Sequence, residues 1–155
     1  MKKEIEKKFL VKGDFKSTAN YKTRIFQGYF SAEPSSSVRV RVLGKSGFIT
    51  IKGESDPSGL TRNEWEYKIP VTDARELLGV CPGGFIQKTR YYVEFKSHTF
   101  EVDEFSGENE GLVVAELELK SEDERFEVPP WLGKEVTGDP KYYNIMLLKH
   151  PFKSW

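Results

Sequence analysis

Polar and apolar residues alternate with a period of two along most of this chain. The first instance, Glu4-Ile5-Glu6-Lys7-Lys8-Phe9, sets charges at 4, 6 and 8 and apolar side chains at 5 and 9. Successive side chains of a strand point to opposite faces, so the stretch reads as a β-strand with Glu4, Glu6 and Lys8 on one face. The same period predicts strands over residues 3–11, 24–31, 37–43, 47–53, 61–69, 85–95, 99–105 and 112–120. Turn-forming clusters separate them at Gly13-Asp14, Ala32-Glu33-Pro34-Ser35, Asp56-Pro57-Ser58-Gly59, Gly83-Gly84 and Ser106-Gly107-Glu108-Asn109. Two stretches break the period. Thr72 to Leu78 predicts a helix capped by Thr72 with Glu76 in its first turn. Lys141 to Lys149 predicts a second, begun after Asp139-Pro140 and stopped before Pro151. The expected fold is mainly β (α+β): an eight-stranded antiparallel sheet closed into a barrel, with a few flanking helices.

The charged faces carry a second regularity: like charges recur at i and i+2. Arg39 and Arg41 alternate with Val38, Val40 and Val42, and Lys52 follows Ile49 and Ile51 in the same phase. Glu64 and Glu66 bracket Trp65, Lys88 and Arg90 bracket Thr89, Glu101 and Asp103 bracket Val102, and Glu116 and Glu118 bracket Leu117. One such doublet is an ordinary solvated sheet face. Repeated from strand to strand it is not, because a solvated face mixes signs and has no use for paired like charges. A bound counter-charge makes the doublets favourable. The charged faces are therefore expected to point into the barrel, and the apolar faces outward beneath helices and loop aromatics such as Trp131. Unpaired buried ions cost several kcal/mol each, so this lumen must be wet and its charges must compensate one another or hold a ligand.

Composition narrows the partners. Lys+Arg and Asp+Glu number 24 each in 155 residues, which gives no global field toward nucleic acid or a membrane surface. No apolar run approaches the roughly 20 residues of a membrane span, and the charged N-terminus does not read as a secretion signal. The single cysteine, Cys81, cannot form an internal disulfide, and no Cys/His metal spacing occurs. A cytoplasmic, single-domain protein over residues 1–155 is expected, with a homodimer possible if an apolar strand face pairs two barrels. Clustered Arg and Lys select a polyanion, and carboxylates in the same cavity would repel it unless a divalent cation lies between. Hard oxygen donors without Cys or His favour Mg²⁺ or Mn²⁺, so the set reads as metal-assisted phosphoryl transfer.

The run Glu4-x-Glu6-x-Lys8 resembles the signature of the CYTH superfamily, the triphosphate tunnel metalloenzymes. The resemblance continues in order through Gln27-Gly28-Tyr29, Val38-Arg39-Val40-Arg41, Thr50-Ile51-Lys52-Gly53, Glu64-Trp65-Glu66-Tyr67 and Lys88-Thr89-Arg90-Tyr91. It extends to Val102-Asp103-Glu104-Phe105, Ala115-Glu116-Leu117-Glu118-Leu119 and the stretch from Trp131 to Thr137. It implies an eight-stranded tunnel in which Glu4, Glu6 and Glu118 bind the metal, with Glu116 supporting it or holding a second. Lys8, Arg39, Arg41, Lys52, Lys88 and Arg90 would grip the triphosphate, and Glu64, Glu66 and Asp103 would orient the cations or assist the metal site. No charged motif position departs from the pattern. Short members of this kind resemble inorganic triphosphatases, which cleave tripolyphosphate to pyrophosphate and phosphate. Class IV adenylate cyclases and nucleoside, thiamine and RNA triphosphatases share the tunnel, and a non-catalytic polyphosphate-binding module is a third reading. A cyclase must also read adenine, and no separate base-reading motif is visible here. A module that only binds has no need of the full carboxylate set.

In mechanistic terms, Glu4 or Glu116 would orient the attacking water, and Tyr29 is a candidate proton relay beside Lys88. His98 and His150 read as surface residues, Cys81 as a small apolar residue near a helix end, and Trp131 and Trp155 as packing. The Tyr142–Leu148 stripe reads as a helix packing face.

Overall fold

The computed structural model describes residues 1–33 and 35–155; the turn expected at Ala32–Ser35 therefore falls, at Pro34, outside the described residues. Nine strands and two α-helices run in the order β1 (Lys2–Val11), β2 (Tyr21–Glu33), β3 (Ser36–Leu43), β4 (Ser46–Ser55), β5 (Thr61–Ile69), α1 (Val71–Gly79), β6 (Phe85–Phe95), β7 (His98–Phe105), β8 (Val113–Glu118), β9 (Leu132–Glu135) and α2 (Asn144–Lys149). Every pairing is antiparallel. Neighbours follow the order β5-β4-β3-β2-β6-β7-β8-β1, and β1 pairs back to β5, so eight strands close a barrel. The ninth strand shares an edge of β1 with β5. Residues Lys2 to Ile5 take β5, while Phe9 and Val11 take β9.

The pleat phase inverts the usual small barrel. The largest apolar cluster lies on the outside of β1, β6, β7 and β8, where Tyr91, Val102, Ala115 and Phe9 stand in cross-strand register. Loops cover it: Phe15 packs edge-on to Tyr91 and Trp131, and Trp131 to Phe100. A second cluster joins Val40 and Val42 to Ala74, Leu78 and Cys81, which docks α1 on the outside of β3. The third is inside: Ile86, Phe105, Leu112 and Val114 meet Leu147 of α2. The lumen is thus charged but not open throughout, because α2 stops one end with apolar side chains.

Close packing of α1 gives a testable consequence. A Cβ on Gly47 would stand 2.7 Å from the Ala74 Cβ and 3.1 Å from the Ile69 carbonyl oxygen. Neither atom is at the end of a flexible chain, so Gly47→Ala should lower stability by about 1–3 kcal/mol, read as a lower urea midpoint with an unchanged slope.

Four points depart from the expectations or add to them. Thr72 is not the cap of α1: the helix begins at Val71 behind Pro70, whose carbonyl accepts from Ala74 N at 3.0 Å, and no side chain caps it. The expected helix from Lys141 is broken in two. A 3₁₀ turn spans Pro140–Tyr142, Tyr143 is extended, and α2 starts at Asn144. The Tyr142 carbonyl, which a continuous helix would use, accepts instead from the Lys8 Nζ at 3.3 Å. Third, β9 is too short for its pattern to show, although its residues fell within the resemblance. Finally, His98 is only 13% exposed in its side chain and holds Glu124 at 2.5 Å. His150 is exposed, Cys81 and Trp131 are buried, and Trp155 is partly exposed against Tyr142 and Phe152.

Candidate functional site

Period-two alternation carries the doublets of both signs into one lumen, a cavity of about 580 Å³. Thirteen of the fourteen predicted site residues line it: Glu4, Glu6, Lys8, Tyr29, Arg39, Arg41, Lys52, Glu64, Glu66, Lys88, Arg90, Glu116 and Glu118. The remaining one, Asp103, is fully buried behind two of the cations.

Strand register decides how the charges meet. Arg90 lies opposite Asp103, Lys52 opposite Glu64 and Lys8 opposite Glu116. Arg90 donates to Asp103 through Nε at 2.7 Å and Nη2 at 2.8 Å, a two-pronged guanidinium–carboxylate pair. Its remaining reach goes to Glu101 and, at 3.5 Å, to Glu116. Burial alone would raise the Asp103 carboxyl, but Arg90 and then Lys88 hold it below its ordinary value. The Lys88 Nζ contacts Asp103 at 2.7 Å and is 1% exposed. Burial lowers Lys88 to about 8, with the Asp103 charge working against the shift and the Arg90 charge with it. One guanidinium therefore depresses both partners, because it claims Asp103 and repels Lys88.

On the opposite wall the Lys52 Nζ grips Glu4 at 3.0 and 2.9 Å and lies 3.8 Å from Glu64. Burial pushes Glu4 up, yet Lys52, a hydrogen bond with Glu64 and the Arg39 charge together outweigh it, and Glu4 sits at about 2. Glu64 is raised to about 7, by burial first and then by the neighbouring Glu4 carboxylate. Arg39 and Arg41 converge on Glu66 at 3.8 and 3.4 Å, steadied by the Thr50 hydroxyl, which accepts from Arg39 and donates to Glu66. Burial, then the Arg39 charge, lowers Arg41 to about 10.

Of the carboxylates predicted for the site, one is left over. Glu6 lies opposite Glu118 on the neighbouring strand, a like-charge pair. Lys2 takes Glu118 at 2.5 Å and Arg90 reaches Glu116, whereas Glu6 forms no ion pair among the described residues. Burial first, then the Glu116 and Glu4 charges, pushes Glu6 well above the usual carboxylate range. This tests the implied metal. All-oxygen donors, a Glu6 carboxyl that no cation of the described residues holds ionised, and flanking carboxylates at Glu4, Glu116 and Glu118 fit a hard divalent cation. No three carboxylates are already converged at ligand spacing among the described residues; Lys52 and Lys2 occupy two of the candidates.

The tyrosine and lysine suggested as a relay face the same lumen without touching. The Tyr29 hydroxyl accepts from Gln27 Nε2 at 3.0 Å, while Lys88 donates to Asn144 Oδ1 at 3.2 Å. Residues that the strand pattern did not single out come from the C-terminal segment. Tyr143, Asn144, Ile145 and Met146 line the cavity, so the stripe read as a packing face buries Leu147 and turns its other side to the lumen. Thr137 also lines it and accepts from Lys8 N at 3.0 Å, bridging the gap in β1 between β5 and β9. Two loops pinch that seam: Gly59 and Gly138 have φ of +75° and +79°, and a Cβ on Gly59 would meet the Gly138 Cα at 2.6 Å. Only glycine combines that backbone with so close an approach.

Comparison with known proteins agrees with this geometry. The CYTH domain matches residues 2–143. An inorganic triphosphatase of Acetivibrio thermocellus is 49% identical over 156 residues, covering 100% of this chain and 99% of that protein. An inorganic triphosphatase of Nitrosomonas europaea is 38% identical over 148 residues, covering 93% and 95%. A crystal structure of an inorganic triphosphatase superposes with a TM-score of 0.67 at 35% identity, over 93% of this chain and 96% of that one. No helix of the described residues is long and apolar enough to cross a membrane. With the barrel, its inward doublets and these matches all running the length of the chain, it belongs to the CYTH family.

Proposed function

We propose that this chain hydrolyses inorganic tripolyphosphate to pyrophosphate and phosphate, with Mg²⁺ or Mn²⁺ as the cofactor. The observation that carries the reading is a lumen with two walls of cations in which Glu6, flanked by Glu4, Glu116 and Glu118, has no ion-pair partner among the described residues. Its CYTH membership places the chain in a metal-dependent family. Glu4, Glu6, Glu116 and Glu118 would hold the metal. Bound there, a divalent ion neutralises phosphoryl oxygens and lets carboxylates and a polyanion share one cavity.

The remaining chemistry belongs to the chain. Arg39, Arg41 and Lys52 from one wall, and Lys8, Lys88 and Arg90 from the other, bind the phosphoryl oxygens and hold the chain of phosphates in line. Phosphoryl transfer has a loose transition state, so positioning and charge stabilisation supply most of the acceleration. Glu4 and Glu116 are ionised, and as acceptors they orient the attacking water. Glu64 and Glu66 hold Lys52, Arg39 and Arg41 in place, and Asp103 does the same for Arg90 and Lys88. Tyr29 faces the substrate from β2, and a relay role would require it to leave Gln27 for Lys88.

A substrate panel tests the reading. Tripolyphosphate, ATP, thiamine triphosphate and pyrophosphate are incubated with Mg²⁺ or Mn²⁺, and phosphate, pyrophosphate and cyclic AMP are measured. Tripolyphosphate turnover yielding both phosphate and pyrophosphate is expected. Cyclic AMP, or no metal-dependent turnover of any triphosphate, would overturn it. The pH profile gives a second test. Lys88 is charged below about 8 and loses its proton above it. Since kcat/KM reports the free enzyme, it should fall about tenfold for each pH unit above that point. A profile flat to pH 10 would remove Lys88 from substrate binding.

A further inference from the structure

We infer that Asn144 is a positioning residue for this reaction, its side-chain carbonyl holding the Lys88 ammonium toward the triphosphate. The inference rests on the functional reading above. Lys88 is buried in the lumen wall, across from the Phe105 ring, whose centroid lies 5.5 Å from Nζ. The charged groups facing it are Asp103 from β7, Glu116 from β8 and Arg90 from its own strand; Ile25 of β2 stands opposite in register. Asp103 is already held on both oxygens by Arg90. The Lys88 ammonium touches Asp103 at 2.7 Å, and with that contact alone nothing would turn its remaining N–H groups toward the cavity. The amide oxygen of Asn144, at 3.2 Å, is its other acceptor, and Asn144 itself lines the cavity.

Neutrality matters here. An amide oxygen accepts a hydrogen bond without cancelling the ammonium's charge, so the full charge remains for phosphate. A carboxylate in its place would pair with Lys88 and repel the polyanion. The same segment treats the second buried lysine alike: the Lys8 Nζ donates to the Tyr142 carbonyl at 3.3 Å and lies 5.6 Å from the Tyr143 ring centre. The break in the helix before Asn144 thus serves the site, since it frees one backbone and one side-chain acceptor for the two lysines.

Two variants act on Lys88 in opposite directions. Asn144→Leu removes the acceptor, and the alkaline limb of kcat/KM should move down by about one pH unit. Asn144→Asp supplies a charge, and the limb should move up by about one unit while KM for tripolyphosphate rises. Aspartate is favourable in the first turn of a helix, so this variant should fold. Lysine side-chain NMR of the metal-free protein gives the Lys88 midpoint without any turnover, and thermal melts report folding separately. A role in packing alone would lower the melting temperature and leave both midpoints where they are. Unmoved midpoints, or shifts of the same sign in both variants, overturn the inference. A wild-type protein that turns over no tripolyphosphate would instead sink the functional reading, and the catalytic role of Asn144 with it.

Discussion

Glu6→Gln is expected to cost at least about 100-fold in metal-dependent tripolyphosphate hydrolysis and yet to leave the metal-free protein as stable as its parent or more so. Glu6 meets Glu118 across the β1–β8 ladder, with Glu4 two residues before it on β1 and Glu116 two before Glu118 on β8. In the free protein burial and the Glu116 and Glu4 charges disfavour its ionised form, and no ion pair among the described residues favours it. Such an arrangement is unfavourable on its own and becomes favourable with a cation present. Glutamine keeps the shape and resembles the protonated acid of the free protein, but it cannot ionise, so metal-free stability is kept and binding of a divalent ion weakens. The checks are turnover, Mn²⁺ titration by calorimetry, and melts with and without metal. Full activity in the variant would take Glu6 out of the site. A marked loss of metal-free stability would show that its charge is answered by a partner after all.

Arg90→Met should be the most destabilising single change in the lumen, at about 3–5 kcal/mol. It leaves Asp103 buried and Glu101 without its guanidinium, and leaves Lys88 as the one cation in contact with Asp103 among the described residues. The pH dependence has a definite sign. Asp103 is held below its ordinary value of 3.8, so it contributes stability above that pH and loses it as pH falls further. The variant lacks most of that contribution, and the gap between the two proteins should narrow as pH drops below about 4. Arg90→Met/Asp103→Asn should recover part of the loss, since it removes the stranded charge. Urea unfolding at several pH values measures all of this. A loss under about 1 kcal/mol at neutral pH would mean that water or another cation already compensates Asp103.

The barrel and nearly all of its lumen were legible in the order of residues, because a strand's side-chain phase is fixed by a period of two. Once Glu4, Arg39, Glu64 and Lys88 are placed on one face, closure of the sheet brings them together with no further information. The C-terminal segment was not legible in this way. Its apolar spacing fits a helix, and the break at Tyr143 goes with a contact that no local pattern encodes, the Tyr142 carbonyl accepting from Lys8, 134 residues earlier. Asn144 carries no charge and stands in no doublet, so nothing nearby distinguishes it from a surface residue. Glu101 is different: its doublet with Asp103 was visible, but its tie to Arg90 depends on the register between β6 and β7.

Turning the apolar faces outward also redraws the map of which changes the molecule tolerates. In most domains the interior is sterically intolerant and the connecting segments absorb substitutions. Here Phe15 and Trp131, in connecting segments, clamp the outside of the sheet, while the middle of the barrel holds charges and space. Side chains in that middle can be exchanged for others of different size without opening a void in packed hydrocarbon; the consequence is felt through charge. Mutational drift should therefore be punished in stretches that look like ordinary loops as well as at the buried ion pairs. Within the chamber the exchangeable positions are those outside the buried Arg90–Asp103–Lys88 cluster and the apolar plug at Leu147, where a change of charge strands no partner.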